Sequence, residues 1–297
     1  MVLRPPTVLA AALVAMFVGA DTDATPVGRD WRFVEGKYWS ISSPDAEAAS
    51  LTDAVERTSG VCAAGMIEIA GRMKQDGATS VEALQEVTCT DWIRREYPQL
   101  CGRFERSAWL EASAVLAAKP MSFCIDRFEY PNRRLAYPAI MVTWNEARAL
   151  CGGDGKRLCS EDEWTFACEG EEAKPYPYGY ERSARACVID MPHRPFDERK
   201  LMQRSSPDMA RELDRLWQGE ASGTRPACRS PFGVYDLTGN VDEWTVSTHT
   251  SGYPSIMKGG YWGQIRARCR PSTRAHGEDF VFYQQGFRCC ADVPARK

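Results

Sequence analysis

Twelve cysteines, three histidines and a dense run of arginines toward the carboxyl end are the side chains of this chain best suited to chemistry. Thiolates capture soft metals and attack electrophiles, whereas oxidised cysteines only cross-link a fold. The cysteines stand at Cys62, Cys89, Cys101, Cys124, Cys151, Cys159, Cys168, Cys187, Cys228, Cys269, Cys289 and Cys290. An even count of this kind in an exported chain reads first as a disulfide framework. A zinc site is disfavoured, because no CxxC pair occurs and His193, His249 and His276 lie far apart.

Export itself is read from the amino terminus. Residues 1–20 carry Arg4, an apolar stretch from Thr7 to Ala20 and a small-residue Val18-Gly19-Ala20 end, which predicts a signal peptide cleaved after Ala20 and a secreted or periplasmic protein. The apolar stretch is shorter than the ~20 residues of a spanning helix, so no membrane span is expected. With 37 Lys+Arg against 40 Asp+Glu and no long run of one sign, nucleic acid is excluded as a natural partner. A content of 44% hydrophobic residues in 297 supplies a substantial core.

The elements that must position any site follow from periodicity and caps. Residues 21–59 read as an amino-terminal extension with a weak helical pattern through Ala46, Leu51 and Val55, and 60–293 as the main domain. Met66–Ile69 and Phe123–Tyr130 alternate like strands, and the segment 73–120 between them is read as a largely helical insertion. Thr143 with Glu146 and Ser160 with Glu163 form two capping boxes, predicting helices over about Trp144–Cys151 and Glu161–Glu169. Beyond Lys174, glycine, proline and aromatic residues predict irregular structure, broken by a helical stretch over Met209–Leu216.

Three blocks in the last third carry a resemblance. They are Gly233-Val-Tyr-Asp-Leu-Thr-Gly-Asn-Val-Asp-Glu-Trp244, Lys258-Gly-Gly-Tyr-Trp262 and Gly286-Phe-Arg-Cys-Cys290, preceded by Gly155-Lys-Arg-Leu158 and Tyr178-Gly179. Their ordered set, from about Gly65 to Ala291, resembles the formylglycine-generating enzyme (sulfatase-modifying factor) family. The resemblance implies an α+β domain related to the C-type lectin fold, rich in irregular loops and braced by structural calcium. It implies carboxylates from Asp236 and Glu243 and backbone carbonyls from Gly239 and Val241 as calcium donors, the hard oxygen ligands this ion prefers. The family's other calcium site, expected near Cys187–Asp190, is not recognisable. Disulfides Cys151–Cys289 and Cys168–Cys269 are also implied. Neighbourhood suggests Cys187–Cys228, Cys159–Cys290 and Cys89–Cys101, leaving Cys62 with Cys124.

Active members of that family place two cysteines after a Gly-Gly-Ser segment to bind copper(I), which then oxidises a substrate cysteine. Here residues 259–268 contain no cysteine, and Tyr261 stands in place of the serine. The expectation is therefore a domain without copper-thiolate oxidase activity. It would act as a calcium-stabilised binding or scaffold module holding a peptide, protein or glycan in a loop groove around Tyr261, Trp262, Arg266, Arg274 and His276. The alternative is an oxidoreductase of the same superfamily using non-haem iron near His276, with Glu278 and Asp279 close by. Enzyme and binding module both stay open at this point.

Overall fold

The main domain opens on a strand whose long antiparallel partner lies far along the chain. A computed structural model describes residues 28–43, 61–96 and 99–294. The predicted export signal and the weak helical pattern at Ala46–Val55 lie outside the described residues. Strands β1 (Trp31–Val34) and β2 (Tyr38–Ile41) form a hairpin turned at Glu35-Gly36, both in the left-handed region. Strand β3 (Met66–Lys74) then pairs antiparallel along its whole length with β6 (Ala118–Asp126). Between them come α1 (Val81–Val87), the hairpin β4 (Cys89–Arg94) and β5 (Leu100–Phe104), and α2 (Arg106–Ser113).

That segment corrects the helical reading of 73–120. Among its described residues only two short helices occur, and its two ends belong to the β3/β6 pair. The strand begun at Met66 runs on through Gly71 to Lys74, and its partner lies far away in sequence, so local propensity gave no hint of the pairing. The strand expected at Phe123–Tyr130 is likewise shifted toward the amino terminus and ends at Asp126.

The two capping boxes form as read. Helix α3 (Trp144–Gly153) is capped by Thr143 and Glu146, and α4 (Glu161–Glu169) by Ser160 and Glu163. Between them lies β7 (Arg157–Leu158). Helices α5 (Glu198–Leu201) and α6 (Pro207–Leu216) follow, and α6 buries Met209, Leu213 and Leu216 against Trp31, Trp39 and Trp217. The extension hairpin is thereby packed into the domain core rather than trailing from it.

Strands β8 (Asp242–Val246), β9 (Ser255–Lys258), β10 (Ser272–Thr273) and β11 (Gln285–Phe287) make a four-stranded sheet in the order β10-β9-β8-β11, with β8 and β11 parallel. The second sheet has the order β3-β6-β12-β7, closed by β12 (Cys289–Ala291). The architecture is thus α+β, with long stretches of irregular chain.

Six disulfides hold these pieces: Cys62–Cys124, Cys89–Cys101, Cys151–Cys289, Cys159–Cys290, Cys168–Cys269 and Cys187–Cys228. These are the partners named from resemblance and neighbourhood. The vicinal Cys289 and Cys290 reach α3 and the start of the α4 segment respectively, because successive strand residues face opposite sides of a sheet. No helix among the described residues is long and apolar enough to cross a membrane.

Candidate functional site

The chain leaves β9 at Lys258 and turns at once through Gly259 and Gly260, both at positive φ. A Cβ on Gly259 would lie 2.7 Å from the Leu237 carbonyl oxygen, so only glycine allows this close crossing. The turn drives Trp262 inward, where it meets Trp217 edge-on at 4.8 Å and lies near Tyr283. Trp262 is 1% exposed and Tyr283 4%, so neither offers a surface platform, contrary to the expected aromatic groove. The apolar face of α6 needs a cover, and these rings supply it.

The five groove residues are not brought together. Tyr261 and Trp262 border a small cavity of about 200 Å³ that also touches His193 and Arg194. Arg266 and Arg274 turn into a different and larger one. His276 stacks on Phe280 with ring centroids 3.8 Å apart, while Asp279 accepts a hydrogen bond from Asn145 Nδ2.

The larger cavity has a volume of about 510 Å³ and lies between two walls. Met73, Asp76, Ser80, Glu82 and Gln99 form one, from the segment that sequence reading left without a role. The remainder is lined by Lys258 and the alternating Arg266, Arg268 and Arg270, with Arg274, the acids Glu161 and Asp162 of α4, and His249. Arginine at every second position, 266, 268 and 270, was the signal available in the sequence, and all three reach this cavity although the chain there is irregular. Lys258 gave no such signal.

Most charges here are matched. Arg270 grips the buried Glu169 with Nε and Nη2 at 2.7 and 2.6 Å, and Arg274 pairs with Glu161. Arg266 donates through Nη2 to Asp242 Oδ1 at 2.6 Å and to the Met257 carbonyl at 3.1 Å. Arg268 reaches Glu86 and Glu82 through Nη2 at 3.2 and 3.4 Å. Lys258 is fully buried, lies 5.6 Å above the Trp164 ring and donates to the Arg270 carbonyl oxygen. Burial pulls its pKa down to about 8.

A second buried polar group surrounds the Asp236–Glu243 loop. Asp236 and Asn240 both adopt left-handed conformations, and Asp236 Oδ2 accepts from the Gly223 amide at 2.7 Å. The loop is locked by Gly239, where a Cβ would sit 2.3 Å from the Val188 carbonyl oxygen. Glu129, which sequence reading missed, is fully buried beside it and accepts from Asn240 Nδ2 and Ser222 Oγ. Burial, reinforced by the neighbouring Glu243 charge, pushes Asp236 up to about 7. Burial and the charges of Asp236 and Glu243 push Glu129 well above the carboxylate range.

The donor set fits a hard cation in part. Asp236 has no ion-pair partner among the described residues, and such an ion would favour its carboxylate form. Glu243 does not: Arg288 holds both its oxygens, at 2.6 and 2.7 Å, and Trp164 Nε1 donates to one of them. The thiolate requirement of copper(I) is met nowhere, since no cysteine is free and Cys269 is bonded to Cys168. Among the described residues no group of three histidine, cysteine, aspartate or glutamate side chains gathers to hold a metal, around His276 or elsewhere.

Comparison with known proteins gives a consistent picture. The family model of the sulfatase-modifying factor enzyme 1-like domain matches residues 69–293. The chain is 31% identical over 169 residues to the inactive C-alpha-formylglycine-generating enzyme 2 of Bos taurus, covering 54% of this chain and 52% of that protein. It is 28% identical over 192 residues to the formylglycine-generating enzyme of Mus musculus, covering 54% and 45% respectively. The chain thus spans about half the length of the curated relatives it matches. The crystal structure of CarF aligns with a TM-score of 0.46 at 12% identity, over 77% of this chain and 98% of that one.

Proposed function

The chain belongs to the sulfatase-modifying factor enzyme 1-like domain family, and on that footing we propose that it is an exported binding or scaffold module without the family's copper-thiolate oxidase chemistry. The observation that carries this reading is the sulfur inventory. All twelve cysteines lie in six disulfides, and the one nearest the position of the catalytic pair, Cys269, is committed to Cys168. A disulfide sulfur is not a thiolate, and copper(I) needs soft, deprotonated ligands. Relatives of both kinds match the chain, one whose name marks it as inactive and one named as the enzyme. Oxidised cross-links in this number also support a location outside the reducing cytosol.

Calcium belongs to the same proposal as a structural ion. Asp236, with the carbonyls of Gly239 and Val241, would hold it, and Glu243 would join only by sharing its carboxylate with Arg288. The ion would supply positive charge to a buried acidic loop and nothing to a reaction. Binding would use the loop cavities rather than the Trp262 face, which is core.

The test is a thiol count, copper(I) titration and incubation with a sulfatase-motif peptide, all on the mature protein. The expected result is no free thiol, no stoichiometric copper and an unmodified peptide. A titratable Cys269 thiol together with formylglycine in the peptide would overturn the reading. Elemental analysis addresses calcium separately.

A further inference from the structure

We propose that the 510 Å³ cavity is a binding site for a small oxyanion-bearing ligand, whose carboxylate, sulfate or phosphate group is held by Lys258, Arg266 and Arg268. The proposal rests on the reading of the chain as a binding module and names the ligand class of that module.

Three buried cations in one cavity need an explanation. Lys258 is 0% exposed, Arg268 3% and Arg266 5%. A charge withdrawn from water is costly unless it is paired and hydrogen-bonded. Lys258 has no carboxylate within ion-pair distance among the described residues, and its ammonium meets only a carbonyl oxygen and an aromatic face. Arg266 and Arg268 each use Nη2 alone, and Nε and Nη1 of both are buried without a partner. Arg266 is paired with Asp242, and Arg268 with Glu86 and Glu82, but each through one nitrogen, whereas Arg270 holds Glu169 through two.

Acidic residues also line the cavity, and they are already occupied. Glu161 is held by Arg274, Asp162 by Lys119 and Glu82 by Arg268, while Asp76 Oδ1 accepts from the Val81 amide at 2.8 Å. The unpartnered buried groups on this lining are therefore the arginine donors. Guanidinium groups recognise planar and tetrahedral oxyanions through adjacent N–H groups, and a lysine ammonium adds a point charge. The volume falls within the range of small-molecule sites, roughly 300–1,000 Å³. An incoming oxyanion would complete the hydrogen bonding of Arg266 and Arg268 through a small side-chain adjustment, and would pair Lys258.

The experiment is calorimetric titration of the mature protein with sodium acetate, sulfate and phosphate, at ionic strength held constant with chloride. At least two of the three are expected to bind saturably, and the arm that saturates at the lower concentration tells which group the site prefers. Lys258→Met and Arg268→Gln are expected to weaken that binding about tenfold or more, as loss of a charge-assisted hydrogen bond does. Arg32→Gln, which removes an exposed cation away from the cavity, is expected to leave it unchanged. Should the cavity variants misfold, competition in the unaltered protein decides: two of the anions must displace one another from a single site. Saturation by fewer than two of the three, additive binding in competition, or equal weakening in Arg32→Gln would overturn the proposal. Those results leave the thiol count untouched, so the absence of oxidase chemistry stands or falls separately.

Discussion

Replacing Arg288 by methionine removes a cation that is wholly buried and that donates to both oxygens of Glu243 and to the carbonyls of Asp126, Arg127 and Tyr235. The Glu243 carboxylate, 1% exposed, would keep only its bond from Trp164 Nε1 and would face the buried acids Glu129 and Asp236 unbalanced. Breaking a buried ion pair from one side costs about 3–5 kcal/mol. At about 2–4 °C per kcal/mol for a domain of this size, the melting temperature should fall by roughly 6–20 °C. Glu243→Gln should cost a similar amount by stranding Arg288, whereas the double variant Arg288→Met/Glu243→Met should be more stable than either single one, because no charge is left uncompensated. The assay is urea unfolding of all four proteins in chelator and in calcium. Added calcium should recover more of the loss in Arg288→Met, where Glu243 is released to join Asp236, than in the double variant. Single variants that each lose less than about 1 kcal/mol would refute the reasoning, since that is how a solvent-exposed pair behaves.

Three further outcomes are expected. Asp236 has its pKa raised from 3.8 to about 7 on folding, so the folded state holds a proton that the unfolded state has released. In chelator, stability should accordingly fall as pH rises across that window, and pH-independent thermal melts would contradict this. Removing both Cys168 and Cys269 by alanine substitution opens a loop of separation 101 and should cost about 4–5 kcal/mol in the chain-entropy account, measured by urea unfolding. An unchanged midpoint would show that the cross-link carries no stability. Gly239→Ala forces a methyl group to 2.3 Å from the Val188 carbonyl at a φ of +79°, and should cost at least about 1–3 kcal/mol; a wild-type melting temperature would show that the loop yields freely.

Local chemistry was legible wherever a single segment decides its own structure. The Thr143/Glu146 and Ser160/Glu163 boxes start two helices because hydroxyl and carboxylate satisfy orphan amides within one turn, with no help from elsewhere. The missing thiol pair after Gly259-Gly260 was equally plain, since absence of a residue type needs no coordinates. The six cross-links came from ordered blocks and neighbourhood, and they carry long-range information that ordinary residues do not.

Tertiary structure alone decided the rest. The pairing of Met66–Lys74 with Ala118–Asp126 depends on a partner strand remote in sequence, and so the helical reading between them failed. Whether Trp262 is a surface ring or a core one depends on α6 laying its apolar face nearby. Glu129 enters the acidic loop from another part of the chain, and Glu243 is claimed by Arg288 through burial of both. Lys258 becomes a cavity cation only because residues of the 73–120 segment, of α4 and of the arginine run gather around one space with it. Side-chain type is written in the sequence, but charge balance and access depend on which remote groups share the same low-dielectric volume.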